Sequence, residues 1–134
     1  MFDSFLYLRN SLFVTLLLPC AALTAATELD VGKQFYRDNV EPLLKAHCWK
    51  CHGDKKPAKG ELNLTYRKGV LEGGELGPAV DLDEPAGSLL LDALMYDGLE
   101  MPPSGKLSEK EIQVFRKWIE LGLPWAGETQ PEEH

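Results

Sequence analysis

The chain has 134 residues, of which 44% are hydrophobic and 26% charged, and its formal net charge is −7. This is the composition of a globular protein, and the negative charge argues against nucleic-acid binding. If about 26 residues are removed as a leader, about 108 remain, which is the size of one domain and too few for two.

The N-terminus has the pattern of a signal peptide. An apolar run over residues 12–18 is too short for a comfortable membrane span, and the small residues after it suit cleavage behind Ala26. Cys20 is interpreted as an ordinary signal residue, because Pro19 precedes it where lipoprotein signals carry a small residue. We therefore expect residues 1–26 to be a signal peptide and the protein to be exported, to the periplasm or the outer side of the cytoplasmic membrane. Membrane association is expected only if the signal is retained.

The apolar spacing after the signal predicts a helix from Asp30 up to the cysteines. Pro42 lies inside it, and proline removes a backbone donor, so we expect a kink or restart near residues 39–41. Thr65 is expected to cap a short helix over residues 66–71, which Gly73 and Gly74 would end.

Two further helices are predicted in the second half of the chain. One covers residues 88–95 and is stopped by Asp97 and Gly98; the other covers about residues 109–121 and begins with a capping box from Ser108 to Glu111. No stretch alternates as a strand does. The fold class predicted is therefore all-α with long connections, and residues 127–134 are expected to be an acidic disordered tail.

The chemistry concentrates in the sequence Cys48-Trp49-Lys50-Cys51-His52. Two thiols at this spacing can form thioethers with one porphyrin while the adjacent His52 ligates its iron, so the motif predicts one covalently attached haem c. Long loops in a small domain need something to pack on, and we expect the macrocycle to supply an apolar centre.

Two alternatives for the motif fit less well. A structural zinc needs four ligands. Besides the two thiols, the chain after the expected signal peptide offers only His47, His52 and the tail residue His134. A thioredoxin-like pair has its first thiol at the N-terminus of a helix that follows a strand, whereas these cysteines follow a helix.

Met101 is the candidate for the second iron ligand. It lies 49 residues after His52, and the two prolines that follow it restrict the backbone, which we expect to be extended over residues 101–103. Met95 falls in a leucine-rich helix, where core packing is the default. His47 ends a helix, where a surface or end-capping role is favoured.

Several short motifs together resemble the planctomycete-type cytochrome c domain, over about residues 30–125 and in the order of that family. They are Val40-Glu41-Pro42-Leu43-Leu44, Cys48-x-x-Cys51-His52-Gly53, Gly73-Gly74, Gly77-Pro78-Ala79, Ser88-Leu89-Leu90, Met101-Pro102-Pro103, Leu107-Ser108-x-x-Glu111 and Trp118-Ile119-x-x-Gly122-x-Pro124-Trp125.

The resemblance implies a class I cytochrome c-like fold over residues 27–126, with crossed N- and C-terminal helices and long loops around one haem. It implies His52 as the proximal and Met101 as the distal iron ligand, and a Pro78 carbonyl that accepts the other N–H of His52. Tyr66 or Arg67 could bond a haem propionate, although an arginine on a short surface helix is more often only solvated.

The function predicted is electron transfer by a mono-haem c-type cytochrome, without catalysis on a small molecule, to or from an unknown redox protein or enzyme. The alternative is a haem-based ligand-binding or sensing module in which Met101 is labile.

Overall fold

The computed structural model describes residues 21–53 and 57–127, with side chains from residue 27 onward. Within these ranges the chain is helical and contains no strand, only an isolated bridge between Gly74 and Gly77. The all-α prediction is confirmed. The helices are α1 (Ala21–Phe35), α2 (Glu41–His47), α3 (Trp49–His52), α4 (Arg67–Glu72), α5 (Leu89–Met95) and α6 (Glu109–Glu120).

A widened π-helical turn, Tyr36–Val40, joins α1 to α2. The Glu41 N–H donates to the Tyr36 carbonyl, five residues back, and Pro42 then occupies the first turn of α2, where its missing N–H leaves no helical bond unmade. The irregularity expected around residues 39–41 is therefore present. The helix begins earlier than predicted, at Ala21, and residues 1–20 of the expected signal peptide lie outside the described residues.

Helix α4 does not begin as predicted. Its N-cap is Tyr66 rather than Thr65, and no side chain caps it, because the Thr65 hydroxyl donates to Asn63 Oδ1 at 2.7 Å. The end is as expected at Gly73, whose φ of +74° favours glycine. Gly74, by contrast, does not have a positive φ.

Helix α5 ends at Met95, as predicted, but the residue that ends it is Tyr96 rather than Asp97 or Gly98. Tyr96 adopts a left-handed conformation with φ of +64°. The N-cap residue Ser88 is fully buried, and its hydroxyl accepts from the Asp81 N–H at 3.1 Å rather than from the helix. The sequence could not indicate this partner, which lies in the preceding loop.

Helix α6 agrees closely with the prediction. The Ser108 hydroxyl accepts from the Glu111 N–H at 3.4 Å and the Glu111 carboxylate accepts from the Ser108 N–H at 2.8 Å, which completes the capping box. The four residues of the predicted apolar face are all buried, namely Ile112, Phe115, Trp118 and Ile119.

An aromatic cluster joins the two ends of the domain. Trp118 of α6 lies 5.9 Å from Tyr36 and 5.5 Å from Trp125 between ring centroids, and its indole N–H donates to the Pro124 carbonyl at 2.8 Å. Gly32 of α1 allows this close approach, because a Cβ there would lie 2.9 Å from the Pro124 side chain. The N-terminal helices therefore pack against α6 and the turn that follows it.

Arg67 connects this cluster to α4. Its guanidinium donates to the Leu123 carbonyl at 3.1 Å and the Gly122 carbonyl at 3.2 Å. From α4 the connection continues to α5, since the Ala79 N–H donates to the Val70 carbonyl at 3.0 Å and the Leu90 N–H donates to the Ala79 carbonyl at 2.8 Å. Two roles were considered for Arg67, a bond to a haem propionate and simple solvation. Its guanidinium is instead bonded to these two carbonyls.

Two loops pack backbone against backbone beside α3. The Glu75 N–H donates to the Gly60 carbonyl at 2.9 Å, and a Cβ on Gly74 would lie 2.1 Å from that carbonyl oxygen. A glycine is therefore required at position 74 by the space available, whatever its backbone angles. None of the helices within residues 21–53 and 57–127 is both long and apolar enough to cross a membrane.

Replacing Ser108 with Ala is expected to cost about 1 kcal/mol of unfolding free energy at neutral pH, because the N-cap oxygen is lost. The Ser108 hydrogen bonds hold the pKa of Glu111 below its usual range, so the stability they contribute is present above the unfolded carboxyl pKa and is lost as the pH falls through the folded one. The difference in unfolding free energy between wild type and S108A should become smaller from pH 7 to pH 3. Urea unfolding followed by circular dichroism measures it. Ser104→Ala, in an exposed turn, is the control, and a constant difference across this range would contradict the linkage.

Replacing Gly74 with Ala is expected to destabilise the protein by about 2 kcal/mol, because the new methyl group meets backbone that cannot rotate away. Gly87→Ala is the matched control, since its Cβ would make only ordinary contact with Glu84 at 3.5 Å and should change the unfolding free energy by no more than about 0.5 kcal/mol. Equal stabilities of G74A and G87A in urea unfolding would refute the close packing of the two loops.

Candidate functional site

An apolar cavity of about 440 Å³ lies between the cysteine motif and α5. Its walls come from α3, the 3-10 turn Lys59–Glu61, residues 74–79, α5 and residues 99–103. Leucines dominate the lining, among them Leu62, Leu64, Leu76, Leu90, Leu94 and Leu99. Its size and character suit a small organic ligand or cofactor.

A single helical turn brings Cys48, Cys51 and His52 together at this cavity. The Cys51 and His52 N–H groups both donate to the Cys48 carbonyl, at 3.1 and 2.9 Å. Residues three and four apart share a helix face, and all three side chains line the cavity. The residues singled out in the motif therefore form one cluster.

The loop that follows holds this turn in place. The Leu64 N–H donates to the His52 carbonyl at 2.7 Å, and the Trp49 indole N–H donates to the Leu64 carbonyl at 2.8 Å. The two intervening residues of the motif are thus not equivalent, because Trp49 is half-buried and bonded whereas Lys50 is exposed. Trp49 therefore holds the motif in position without lining the cavity itself.

Both thiols of the motif are free. Burial raises the pKa of the Cys48 thiol to about 11, so it stays protonated at neutral pH. A thiol–disulfide exchange protein needs a thiolate, which environments of this kind disfavour. The surroundings of Cys48 therefore do not favour a thioredoxin-like role.

His52 has a buried ring nitrogen without a partner. Within the described ranges, Nδ1 of His52 is the one buried side-chain nitrogen or oxygen that makes no hydrogen bond. Pro78 is exposed and does not line the cavity, so the contact expected between its carbonyl and His52 is not formed here. That contact stays a prediction for the protein with its cofactor.

The two methionines near the cavity have different surroundings. Met101 lines the cavity, is 37% exposed, and is tied to α5 by its N–H, which donates to the Ala93 carbonyl at 3.0 Å. Met95 does not line the cavity; it packs against the core and its sulfur accepts from Arg116 at 3.6 Å. Only Met101 of this pair offers its side chain to the cavity.

The segment from Met101 to Gly105 forms a turn, whereas extended backbone was expected over residues 101–103. The Met101–Pro102 peptide bond is cis, and the Gly105 N–H donates to the Pro102 carbonyl at 3.2 Å. The Tyr96 hydroxyl donates to the same carbonyl at 2.6 Å. These two bonds close the turn and fix the backbone beside Met101.

His47 was expected to have a surface role, and its side chain is exposed at the end of α2 with Nε2 3.9 Å from the Glu111 carboxylate. It also lies at the edge of the cavity lining. His134 lies outside the described residues. In the part of the chain that the structure describes, no three His, Cys, Asp or Glu side chains come together as a metal-ligand cluster, which disfavours the zinc alternative.

Sequence reasoning missed three residues of the site. Tyr96 fixes the turn beside Met101, while Lys59 and Leu76 lie on the cavity wall. No helix or motif pattern marks them, because Lys59 and Leu76 are placed by contacts between loops and Tyr96 by its side-chain hydrogen bond to the Pro102 carbonyl. The nearest available signal was the set of glycines at 60, 73 and 74, which indicates close backbone packing.

A second depression, of about 450 Å³, lies on the surface between α2 and α6. It is lined by polar and charged residues such as Asp38, Ser108, Lys110 and Glu111, and it contains none of the thiol, imidazole or thioether groups described above. The chemistry of the chain therefore lies in the apolar cavity.

Comparison with known proteins gives one match. No curated protein and no solved structure matches the chain. A family model described as Planctomycete cytochrome C matches residues 48–105, from the first thiol of the motif to the turn beyond Met101. The matched segment includes every residue that lines the cavity except His47, and over this segment the chain is similar to that family.

Proposed function

We propose that this chain is a mono-haem c-type cytochrome that transfers electrons, with haem attached through Cys48 and Cys51 and its iron ligated by His52 and Met101. One observation carries the proposal: two free thiols, an imidazole and a thioether line a single apolar cavity. The family match over the same residues supports it.

The residues present fit a haem. The free thiols of Cys48 and Cys51 are suited to thioether formation with the two vinyl-derived carbons of one porphyrin. The leucine-lined walls suit its apolar faces, and a half-buried imidazole that lines the cavity suits an iron ligand. The fit therefore rests on the set of donor groups as well as on the shape of the cavity.

A bound haem would supply one-electron chemistry, cycling between the ferric and ferrous states. The chain's own residues set the conditions for that chemistry. His52 and Met101 would both ligate the iron, and the soft thioether of Met101 would favour the ferrous state and so raise the reduction potential. The apolar walls exclude water and act in the same direction.

The packing of the ends of the chain supports a class I cytochrome c-like arrangement. The turn after α1 packs against α6 through Tyr36 and Trp118, while the cavity opens between α3 and α5. We infer that residues 27–126 form this domain. We also infer export to the periplasm or the outer side of the cytoplasmic membrane, from the leader-like N-terminus, with an unidentified redox protein or enzyme as partner.

A haem-based ligand-binding or sensing module is the second candidate function. The exposure of Met101 favours it, because a thioether that is 37% exposed can leave the iron at little packing cost. In that case a small molecule would replace Met101 as the sixth ligand.

Replacing Cys48 and Cys51 together with Ala should abolish covalent haem, because no thioether can form. The measurement is haem retained by the protein after acid-acetone extraction, with each protein made alongside the cytochrome maturation machinery. Met101→Ala is the control and should keep its covalent haem, since it leaves both thiols in place. Wild-type protein that retains no haem would contradict the proposal.

Replacing Met101 with Ala should remove the iron–sulfur charge-transfer band of the ferric protein and lower its reduction potential, because the thioether ligand is lost. Met95→Leu is the matched control, since it removes the other thioether near the cavity while preserving its volume in the core. A charge-transfer band that survives in M101A and disappears in M95L would show that Met95, and not Met101, is the iron ligand.

Carbon monoxide binding by the ferrous wild-type protein and by M101A separates the carrier from the sensor. If M101A binds carbon monoxide and the wild-type protein does not, the thioether is a firm ligand and the carrier role stands. Rapid binding of carbon monoxide by the wild-type ferrous protein would favour the sensing role.

A further inference from the structure

The lining of the cavity contains few polar side chains, and most of them already have a role. Besides the two cysteines and His52, the polar lining residues are His47, Lys59 and Glu75. A haem carries two propionates, and a carboxylate at the edge of an apolar cavity is costly unless a cation or hydrogen-bond donor accompanies it. One of these three residues is therefore the place to look for its partner.

Two of the three are excluded by charge or by an existing partner. Glu75 is a carboxylate and would repel a propionate at neutral pH. The His47 imidazole already has a carboxylate partner, because its Nε2 lies 3.9 Å from Glu111.

Lys59 meets both requirements. It is a cation in the 3-10 turn Lys59–Glu61, which packs beside α3, and its side chain is exposed, so it stands where the cavity meets solvent. Throughout residues 21–53 and 57–127 no carboxylate lies within ion-pair distance of its ammonium group. Arg67, the other candidate cation, is bonded to the Gly122 and Leu123 carbonyls and does not line the cavity.

The position of Lys59 is also well defined by the backbone. The Gly60 carbonyl accepts from the Glu75 N–H at 2.9 Å, and Gly74 packs directly on that carbonyl oxygen. The turn that carries Lys59 is thus joined to the neighbouring wall, and the lysine is presented at a fixed place on the rim.

We propose that Lys59 is a cofactor-positioning residue that forms an ion pair with a haem propionate. The inference rests on the proposed function, because it needs the haem to be bound. The pair keeps the propionate ionised and holds the open edge of the cofactor against the Lys59–Glu61 turn.

The test is the pH dependence of the reduction potential of the haem-loaded protein. Loss of the propionate proton adds a negative charge that favours the ferric state, so the potential falls as the pH rises through the propionate pKa. Lys59 lowers that pKa, so Lys59→Gln should move the fall to higher pH by about one pH unit and lower the potential above it. Lys59→Arg should restore the wild-type profile.

The controls separate a local pair from a general charge effect. Lys117→Gln removes the same charge from an exposed position on α6 outside the cavity and should leave the profile in place. Glu75→Gln removes the repelling carboxylate and should move the fall to lower pH. His47 also lines the cavity and is unchanged in every one of these proteins, so it does not distinguish them.

The possible results distinguish failure of the proposed function from failure of the Lys59 inference. Wild-type protein without covalent haem overturns both the proposed function and this inference. Haem-loaded protein in which K59Q and K117Q have the same profile overturns the Lys59 inference alone and leaves the cytochrome proposal standing.

Discussion

The hydrogen bond from the His52 N–H to the Cys48 carbonyl, 2.9 Å long, closes the one turn of helix on which the site depends. An extended backbone would place the two thiols on opposite sides and separate the imidazole from both. Closing the turn brings three side chains to one face, and the bonds of Leu64 to His52 and of Trp49 to Leu64 then prevent the turn from rotating. The cavity can be lined by leucines because these polar backbone groups are paired with one another and do not face it.

The domain has two apolar centres with different purposes. The aromatic cluster of Tyr36, Trp118 and Trp125 holds the ends of the chain together and is built from the protein alone. The leucine-lined cavity is a second apolar surface, formed by α3, α5 and the loops around them. That a macrocycle supplies the apolar centre for these loops stays a prediction, while the terminal helices have a core of their own.

Local sequence signals predicted the features that depend on local interactions. The capping box of α6, its buried face and the irregularity before Pro42 could all be read from neighbouring residues, as could the motif of Cys48, Cys51 and His52. Prediction failed where a side-chain hydrogen bond that no helix pattern indicates decided the outcome. Thr65 bonds Asn63 and leaves α4 uncapped, Ser88 accepts a hydrogen bond from Asp81, and the Tyr96 hydroxyl donates to the Pro102 carbonyl. Met101 could be preferred to Met95 from the sequence, because Met95 falls in a leucine-rich helix, and the packing of Met95 against the core agrees with that choice.

Ala79 is a small residue with contacts on three sides. Its N–H bonds α4, its carbonyl bonds α5, and its side chain lines the cavity, while Arg67 of α4 holds the turn beside the aromatic cluster. The chain therefore contains an unbroken series of hydrogen bonds from the core to the cavity wall. Because each of these hydrogen bonds has a fixed length, the width of the cavity depends on the packing of the aromatic cluster, whose residues do not line the cavity. A substitution among the core aromatics is therefore expected to change the shape of the cavity as well as the stability of the domain.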